Sequence, residues 1–221
     1  TGTLGSFQTT PIVIDGVIYA TGFNNFAWAI DARSGRSFWR YRREPPEVPT
    51  CCGNVNRGFG VLGDKLFMTT IDAHLIALDM GSGTLLWEFP WETPNQAAQP
   101  LVAGPDRVFV SAGTSVDAVM LQLSAGADGQ LAARELWRTN RMNNNFSSAV
   151  LHDGFIYGLD EAILACIDAS TGDLKWKGGR YGYGQVLLAS DHLIVLTEDG
   201  ELALVRADPN GHQEIARFPA I

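Results

Sequence analysis

The chain has 221 residues, a hydrophobic fraction of 46% and a formal net charge of −8 at neutral pH. That length suits one large all-β domain, and the charge argues against nucleic acid, whose affinity comes mainly from Lys and Arg on phosphates. The longest apolar runs are too short to span a bilayer as a helix, and three cysteines are too few for a disulfide framework.

The chain starts at Thr1 without Met or a leader-like stretch, so it reads as a mature chain or an excised piece, and targeting says nothing of its compartment. The first unit opens at Thr10-Pro11-Ile12-Val13-Ile14, turns at Asp15-Gly16, and continues through Ala27-Trp28-Ala29-Ile30 and Asp31 to Gly35 into Phe38-Trp39-Arg40-Tyr41. Short apolar runs closed by Asp-Gly and Ser-Gly clusters predict antiparallel strands joined by tight turns. Pro11 suits a strand start, because it cannot donate to a ladder. A long connection, Arg42 to Asn56, carries three prolines and the adjacent Cys51 and Cys52.

The second unit repeats the plan from Gly60-Val61-Leu62 to Leu85-Leu86-Trp87. The third starts at Gln99-Pro100-Leu101 and reaches Leu136-Trp137 after a longer loop containing Asp128-Gly129. The fourth runs from Ser148 through Asp153-Gly154 and Asp168 to Gly172, ending on Leu174-Lys175-Trp176. The fifth, Val186 to Phe218, keeps the four runs without the tryptophan. Trp39, Trp87, Trp137 and Trp176 thus recur roughly 40 to 50 residues apart, a period typical of four-stranded propeller blades. Packing between blades accounts for these aromatics better than a ligand role does.

The repeats predict an all-β β-propeller of five four-stranded antiparallel blades around a central channel, at about 8–44, 57–91, 98–140, 146–178 and 184–219. The end segments are too short to add a further blade. Either the first blade packs on the fifth to close the ring, or the chain is a piece of a larger ring.

Two stretches, Gln8-Thr9-Thr10-Pro11-Ile12-Val13-Ile14-Asp15-Gly16-Val17-Ile18-Tyr19 and Cys51-Cys52-Gly53-Asn54-Val55-Asn56-Arg57-Gly58, resemble the quinoprotein alcohol dehydrogenases over roughly residues 1–90. Those enzymes are eight-bladed propellers that hold pyrroloquinoline quinone (PQQ) and a calcium ion. The resemblance implies a disulfide between Cys51 and Cys52 against the quinone and a hydrogen bond from Arg57 to it. It also puts a neutral Gln8 where the family often has a glutamate, and implies a periplasmic or extracellular site of action. From about residue 91, Asn95 to Pro100, Asn144 to Ser148 and Gly179 to Gln185 are similar to PQQ-like repeat proteins, most of which lack the cofactor chemistry. The family's calcium ligands and catalytic aspartate have no recognisable counterparts in this half. The change of resemblance implies a chimera, or blades recombined or engineered from quinoprotein-type sequences.

Neighbouring Cα atoms are about 3.8 Å apart, below the roughly 4.4 Å usual for a disulfide, so a Cys51–Cys52 bridge would be strained and easily reduced. Two free thiols in a loop is the alternative. The loop before an inner strand should lie near the axis, within reach of a ligand. Arg57 there could pair with a carboxylate or quinone oxygen, or pin the loop. His74, His152, His192 and His212 fall in turns without ligand spacing, and Cys166 reads as a small buried hydrophobe. Asn143-Asn144-Asn145 precedes an inner strand and could line the channel, but a plain loop is the better account. Gly178 to Gly184 has no following helix to cradle a phosphate and reads as an inter-blade turn.

Three functions fit. The first is a non-catalytic scaffold or binding propeller without a cofactor, with a ligand or protein at its channel face. The second is a PQQ- and calcium-dependent alcohol dehydrogenase, or a fragment of one. The third, a protein-interaction platform, rests on fold analogy alone.

Overall fold

The strands form five four-stranded antiparallel sheets in strict chain order, the five blades that the repeats predict. The computed structural model describes residues 7–44, 53–91, 98–113, 116–126 and 131–220. The first blade holds β1 (Ile12–Ile14), β2 (Val17–Thr21), β3 (Phe26–Asp31) and β4 (Ser37–Arg42). The second holds β5 (Gly60–Leu62), β6 (Lys65–Thr70), β7 (His74–Asp79) and β8 (Leu85–Pro90). The third comprises β9 (Leu101–Val102), β10 (Arg107–Val110), β11 (Ala118–Ala125) and β12 (Leu131–Thr139). In the fourth are β13 (Val150–His152), β14 (Phe155–Asp160), β15 (Ile163–Asp168) and β16 (Leu174–Arg180). The fifth has β17 (Gln185–Ala189), β18 (His192–Leu196), β19 (Glu201–Arg206) and β20 (Glu214–Pro219). Among the described residues no helix is long and apolar enough to cross a membrane.

Local chemistry sets the turns. Asp15-Gly16 and Asp153-Gly154 link the first two strands of their blades with positive φ at both positions (49° and 78°; 47° and 82°), the geometry of a two-residue turn matched to strand twist. Asp31, Asp79 and Asp168 end the third strand and fold their carboxylates back on the turn. Hydrogen bonds from Ser34, Ser82 and Ser170 hold all three below the usual carboxylate range.

Alternate side chains leave opposite faces of each blade, and both faces of the inner three blades are covered. Tyr19, Ala27 and Ala29 of the first blade pack on Phe59, Leu66, Met68 and Ile76 of the second. Phe67, Leu75 and Ala77 pack on Val108, Val119 and Leu121. Phe109, Ala118 and Met120 pack on Ile156, Ala165 and Ile167. Leu159, Leu164 and Cys166 pack on Leu193, Val195 and Ala203. Each fully buried side chain of this size contributes about 1.5–3 kcal/mol.

The tryptophans finish these interfaces from the fourth strands. Trp39 Nε1 donates to Met80 O (3.0 Å), Trp137 Nε1 to Ala169 O (3.2 Å) and Trp176 Nε1 to Asp208 O (2.8 Å), each acceptor lying in the next blade. Trp87 packs in the second interface.

Among the described residues no core cluster joins the first blade to the fifth. On the first blade Val13 is 62% and Phe38 51% exposed, while on the fifth Leu187 is 61% and Phe218 51% exposed. Strand register aligns Leu187 with Ile194 and Leu204, and Leu196 with Leu202 and Phe218, in one uncovered apolar face. Of the two outcomes open from sequence, closure of the first blade on the fifth is therefore not found. Among the described residues the arc is open at both ends.

Candidate functional site

The first strand of each blade lies on the inner edge, where the segments preceding these strands touch one another. Thr10 bridges Gly58 in parallel and donates its N–H to Arg57 O (2.9 Å). Gln99 Nε2 donates to Phe59 O and its N–H to Ser148 Oγ (3.2 Å), and Gln185 Nε2 donates to Phe146 O (2.9 Å). The approach segments of all five blades are thus linked.

Residues 54–58 are pinned before any ligand arrives. Asn56, buried, donates its amide to Thr69 O and accepts from Gly58 N (2.9 Å). Asn54 Nδ2 donates to Asn24 Oδ1 (2.6 Å). Gly58 has φ of 132°, and a Cβ there would meet Thr10 O at 2.8 Å, so only glycine lets the two chains approach this closely.

From this anchored backbone Arg57 extends half-buried. Its Nη2 donates to Gln8 Oε1 (3.1 Å), and its Cζ stands 5.8 Å from the Phe146 ring centroid. Its Nε is buried without a hydrogen-bond partner, and among the described residues no carboxylate pairs with the guanidinium. Burial pushes the Arg57 pKa down, yet an arginine keeps its charge at neutral pH. Phe146 meets Tyr183 edge-to-face at 5.7 Å, and Tyr183 is 41% exposed. Residues from the approaches to four blades therefore gather an unpaired cation, an amide and two aromatic rings. Such a set can hold a flat anion.

The structure brings Gln8 and Arg57 together, two of the positions carried by the resemblance. Cys51 and Cys52 lie outside the described residues, as do Asp128-Gly129 and residues 95–97. Phe146 and Tyr183 were not singled out as site residues from sequence. The signal was their position, since each stands just before an inner strand, as Arg57 does.

Other sequence candidates have structural roles. Asn144 is 1% exposed and joins two blades by donating Nδ2 to Leu159 O (3.1 Å) and its N–H to Ser111 Oγ (3.0 Å), while its Oδ1 is buried without a hydrogen-bond partner. It wedges the third and fourth blades and does not line an opening. Buried Asp160 holds the same loop, accepting Asn143 N (2.9 Å) and Lys177 Nζ (2.6 Å). Gly178, Gly179 and Arg180 are not turn residues: they continue β16, past the expected end of the fourth unit at 178, and only Tyr181 to Gly184 connect to β17. Among the described residues no group of three or more His, Cys, Asp or Glu is arranged to hold a metal ion. Cys166 faces Tyr157 across the strands, fully buried, and burial pushes its thiol up to about 12.

The family whose model matches this chain, over residues 1–178, is described as outer membrane protein assembly factor BamB. The chain belongs to this family. The match to this PQQ-like propeller family crosses residue 91 without a break, although the resemblance read from the residues changes there. Among relatives, a quinoprotein ethanol dehydrogenase of Pseudomonas aeruginosa is 30% identical over 76% of this chain and 26% of its own length. The quinoprotein alcohol dehydrogenase PedH of Pseudomonas putida is 28% identical over 80% of this chain and 29% of its own. A 1-butanol dehydrogenase (quinone) of Thauera butanivorans is 48% identical over 77 residues, 34% of this chain and 12% of that protein. The chain therefore spans less than a third of the length of each of these curated relatives.

Solved structures agree on the fold. The quinohemoprotein alcohol dehydrogenase of Comamonas testosteroni superposes with a TM-score of 0.73 at 17% identity, over 98% of this chain and 43% of that one. BamB of Moraxella catarrhalis gives a TM-score of 0.60 at 16% identity, over 96% and 61%. The protein is a PQQ-like propeller related to both the quinoprotein alcohol dehydrogenases and BamB.

Proposed function

We propose that these five blades form a non-catalytic, ligand-binding propeller segment whose site takes a planar quinone carboxylate of the PQQ type. The observation that carries this reading is Arg57: half-buried, fixed at its backbone, stacked toward Phe146 and without a carboxylate partner. A buried donor left unmatched costs about 1–3 kcal/mol, and an acidic oxygen of the ligand would supply the missing acceptor at Nε. PQQ fits this donor set at one edge. Cys51 and Cys52, six and five residues before the arginine in sequence, are the residues we assign to its plane, joined as a disulfide.

The fit does not extend to calcium. The described residues assemble no carboxylate set around Arg57, so no step is routed through a metal. When bound, PQQ would supply a two-electron acceptor, whereas the residues described in this chain bind and orient. Alcohol oxidation by a complete ring is the second reading. What favours it is the pair of uncovered apolar end faces, which leave room for further blades to contribute groups from the far side of the axis.

A titration with PQQ, with and without calcium, separates the two. Quinone absorbance and melting temperature should shift with PQQ in the wild-type chain, and Arg57→Gln should abolish both shifts. At ligand a hundredfold above Kd the expected stabilisation is about 2.7 kcal/mol. Dye-linked oxidation of a primary alcohol should stay at background. Turnover would establish the dehydrogenase reading, and absence of binding would remove the binding reading.

A further inference from the structure

In every blade the pairing of the third and fourth strands shifts register at one equivalent point. A tryptophan stands there in the first four blades: Trp39 opposite Ala29, Trp87 opposite Ala77, Trp137 opposite Met120 and Trp176 opposite Cys166. In the fifth blade the same point, opposite Leu204, is held by Ala216. We propose that the uncovered face of the first blade is a docking site for a blade outside these 221 residues, one that carries a tryptophan at the bulge of its outer strand. The inference is independent of the quinone reading. It goes beyond an uncovered face, because it names the side chain that the neighbour brings and excludes a second copy of this chain.

The receiving turn is already built. The N–H groups of Gly35, Gly83 and Gly172 donate to Asp31 O, Asp79 O and Asp168 O (2.9, 2.8 and 2.8 Å). Those of Ala32, Met80 and Ala169 donate to Gly16 O, Asp64 O and Gly154 O (2.8, 2.9 and 3.0 Å), so the three turns match bond for bond. In the second and fourth blades an indole from the preceding blade covers the glycine and donates to Met80 O or Ala169 O. Ala32 O holds that place in the first blade, yet among the described residues nothing comes within 4 Å of a Cβ built on Gly35. Val13 and Phe38 are exposed around it, and Phe26 stacks on Trp28 (5.4 Å) on the face opposite Ala27 and Ala29. An indole would bury its rings on this face and satisfy its N–H at the same time. The methyl group of Ala216 does neither, which is a physical reason why the fifth blade does not latch onto the first. A second copy has no better plug, because its four bulge tryptophans are engaged in its own interfaces.

The test gives the chain the plug it lacks. The double variant Ala216→Trp/Gly35→Ala offers an indole and has its own turn blocked, because a Cβ there stands where Trp39 lies over Gly83. In sedimentation velocity, fluorescently labelled wild type should bind this variant at least about tenfold more tightly than it binds itself, the effect of one buried aromatic anchor. Labelled Gly35→Ala in place of the wild type should lose the gain. Ala216→Leu/Gly35→Ala, apolar but without an indole, should stay within about threefold of wild-type self-association, since it leaves the anchor out. Equal affinity of the Trp and Leu variants, a gain that survives Gly35→Ala, or wild type that binds itself as tightly as it binds the Trp variant overturns the proposal. If the Trp variant does not fold, N-acetyl-tryptophanamide titrated into the wild type decides the matter by amide spectra. It should shift the Ala32 signal where N-acetyl-leucinamide does not, and an unmoved Ala32 signal overturns the proposal.

Discussion

Trp137 lies across Gly172 so closely that a Cβ on the glycine would stand 2.6 Å from the indole Cε3. Gly83 is covered by Trp39 in the same way. Gly35 occupies the equivalent turn of the first blade, yet among the described residues nothing comes within 4 Å of its built Cβ. The difference reports whether a preceding blade is there to cover the turn.

Alanine substitution should read out that difference. Both glycines have positive φ, 78° at Gly172 and 72° at Gly35, so each Gly→Ala incurs backbone strain of about 1 kcal/mol. Gly172→Ala must also displace an indole, which adds roughly 1–3 kcal/mol of overpacking. Urea unfolding should therefore show Gly35→Ala mildly destabilised and Gly172→Ala about 2–4 kcal/mol less stable. Equal losses would mean that the first blade is covered in solution.

The acid limb of stability should depend on Asp72. This carboxylate, with only 5% of its side chain exposed, accepts from Arg43 Nε at 2.7 Å and from Asn25 Nδ2 at 3.3 Å, tying the first blade to the second. Burial alone would raise its pKa, but the hydrogen bonds from Thr70 and Arg43 and the Arg43 charge outweigh burial and hold it low. The folded carboxylate thus gives up its proton more readily than the unfolded one. Its contribution is complete above the unfolded value of about 3.9 and is lost as pH falls through the lower folded value. Asp72→Asn should cost about 1–3 kcal/mol at pH 7 and flatten the stability profile below pH 4, as measured by denaturant titration across pH.

The thiols should divide into two classes. Cys166 is fully buried, with its pKa pushed up to about 12, so it should resist Ellman's reagent in the native chain at pH 8 and react once the chain is unfolded. If Cys51 and Cys52 are bridged, as we propose, the unfolded chain gives one thiol without reductant and three with it. Three thiols without reductant would show the pair to be free.

The blades were legible because their signals are local. Asp153-Gly154, the Asp168 to Gly172 turn and the recurring tryptophans each specify a turn or a strand within a few residues, and the meander follows from their order. Arg57 and Gln8 were legible only through resemblance, since neither has a local reason to be where it is. Phe146 and Tyr183 were not legible, because their meeting depends on how the blades fan about the axis. Asn144 was legible only as a loop residue: a polar residue before an inner strand looks open in sequence, and only the packing of Met142 and Ser111 shows that it is buried. Ring closure was left open by the sequence, because an apolar alternation looks the same whether or not a neighbour covers it.

The two faces of the fifth blade put that last point to a test. Leu193 is fully buried against the fourth blade, whereas Leu187, on the adjacent strand and the opposite face, is 61% exposed. Leu193→Ala removes packed methyl groups and should cost about 2–5 kcal/mol. Leu187→Glu places a charge on an uncovered face and should change stability by no more than about 0.5 kcal/mol. It should also lower the binding of a dye such as anilinonaphthalene sulfonate, because it interrupts the row from Leu187 through Ile194 to Leu204. A Leu187→Glu loss as large as that of Leu193→Ala would show the outer face to be buried in solution, and the open arc would then have to be abandoned.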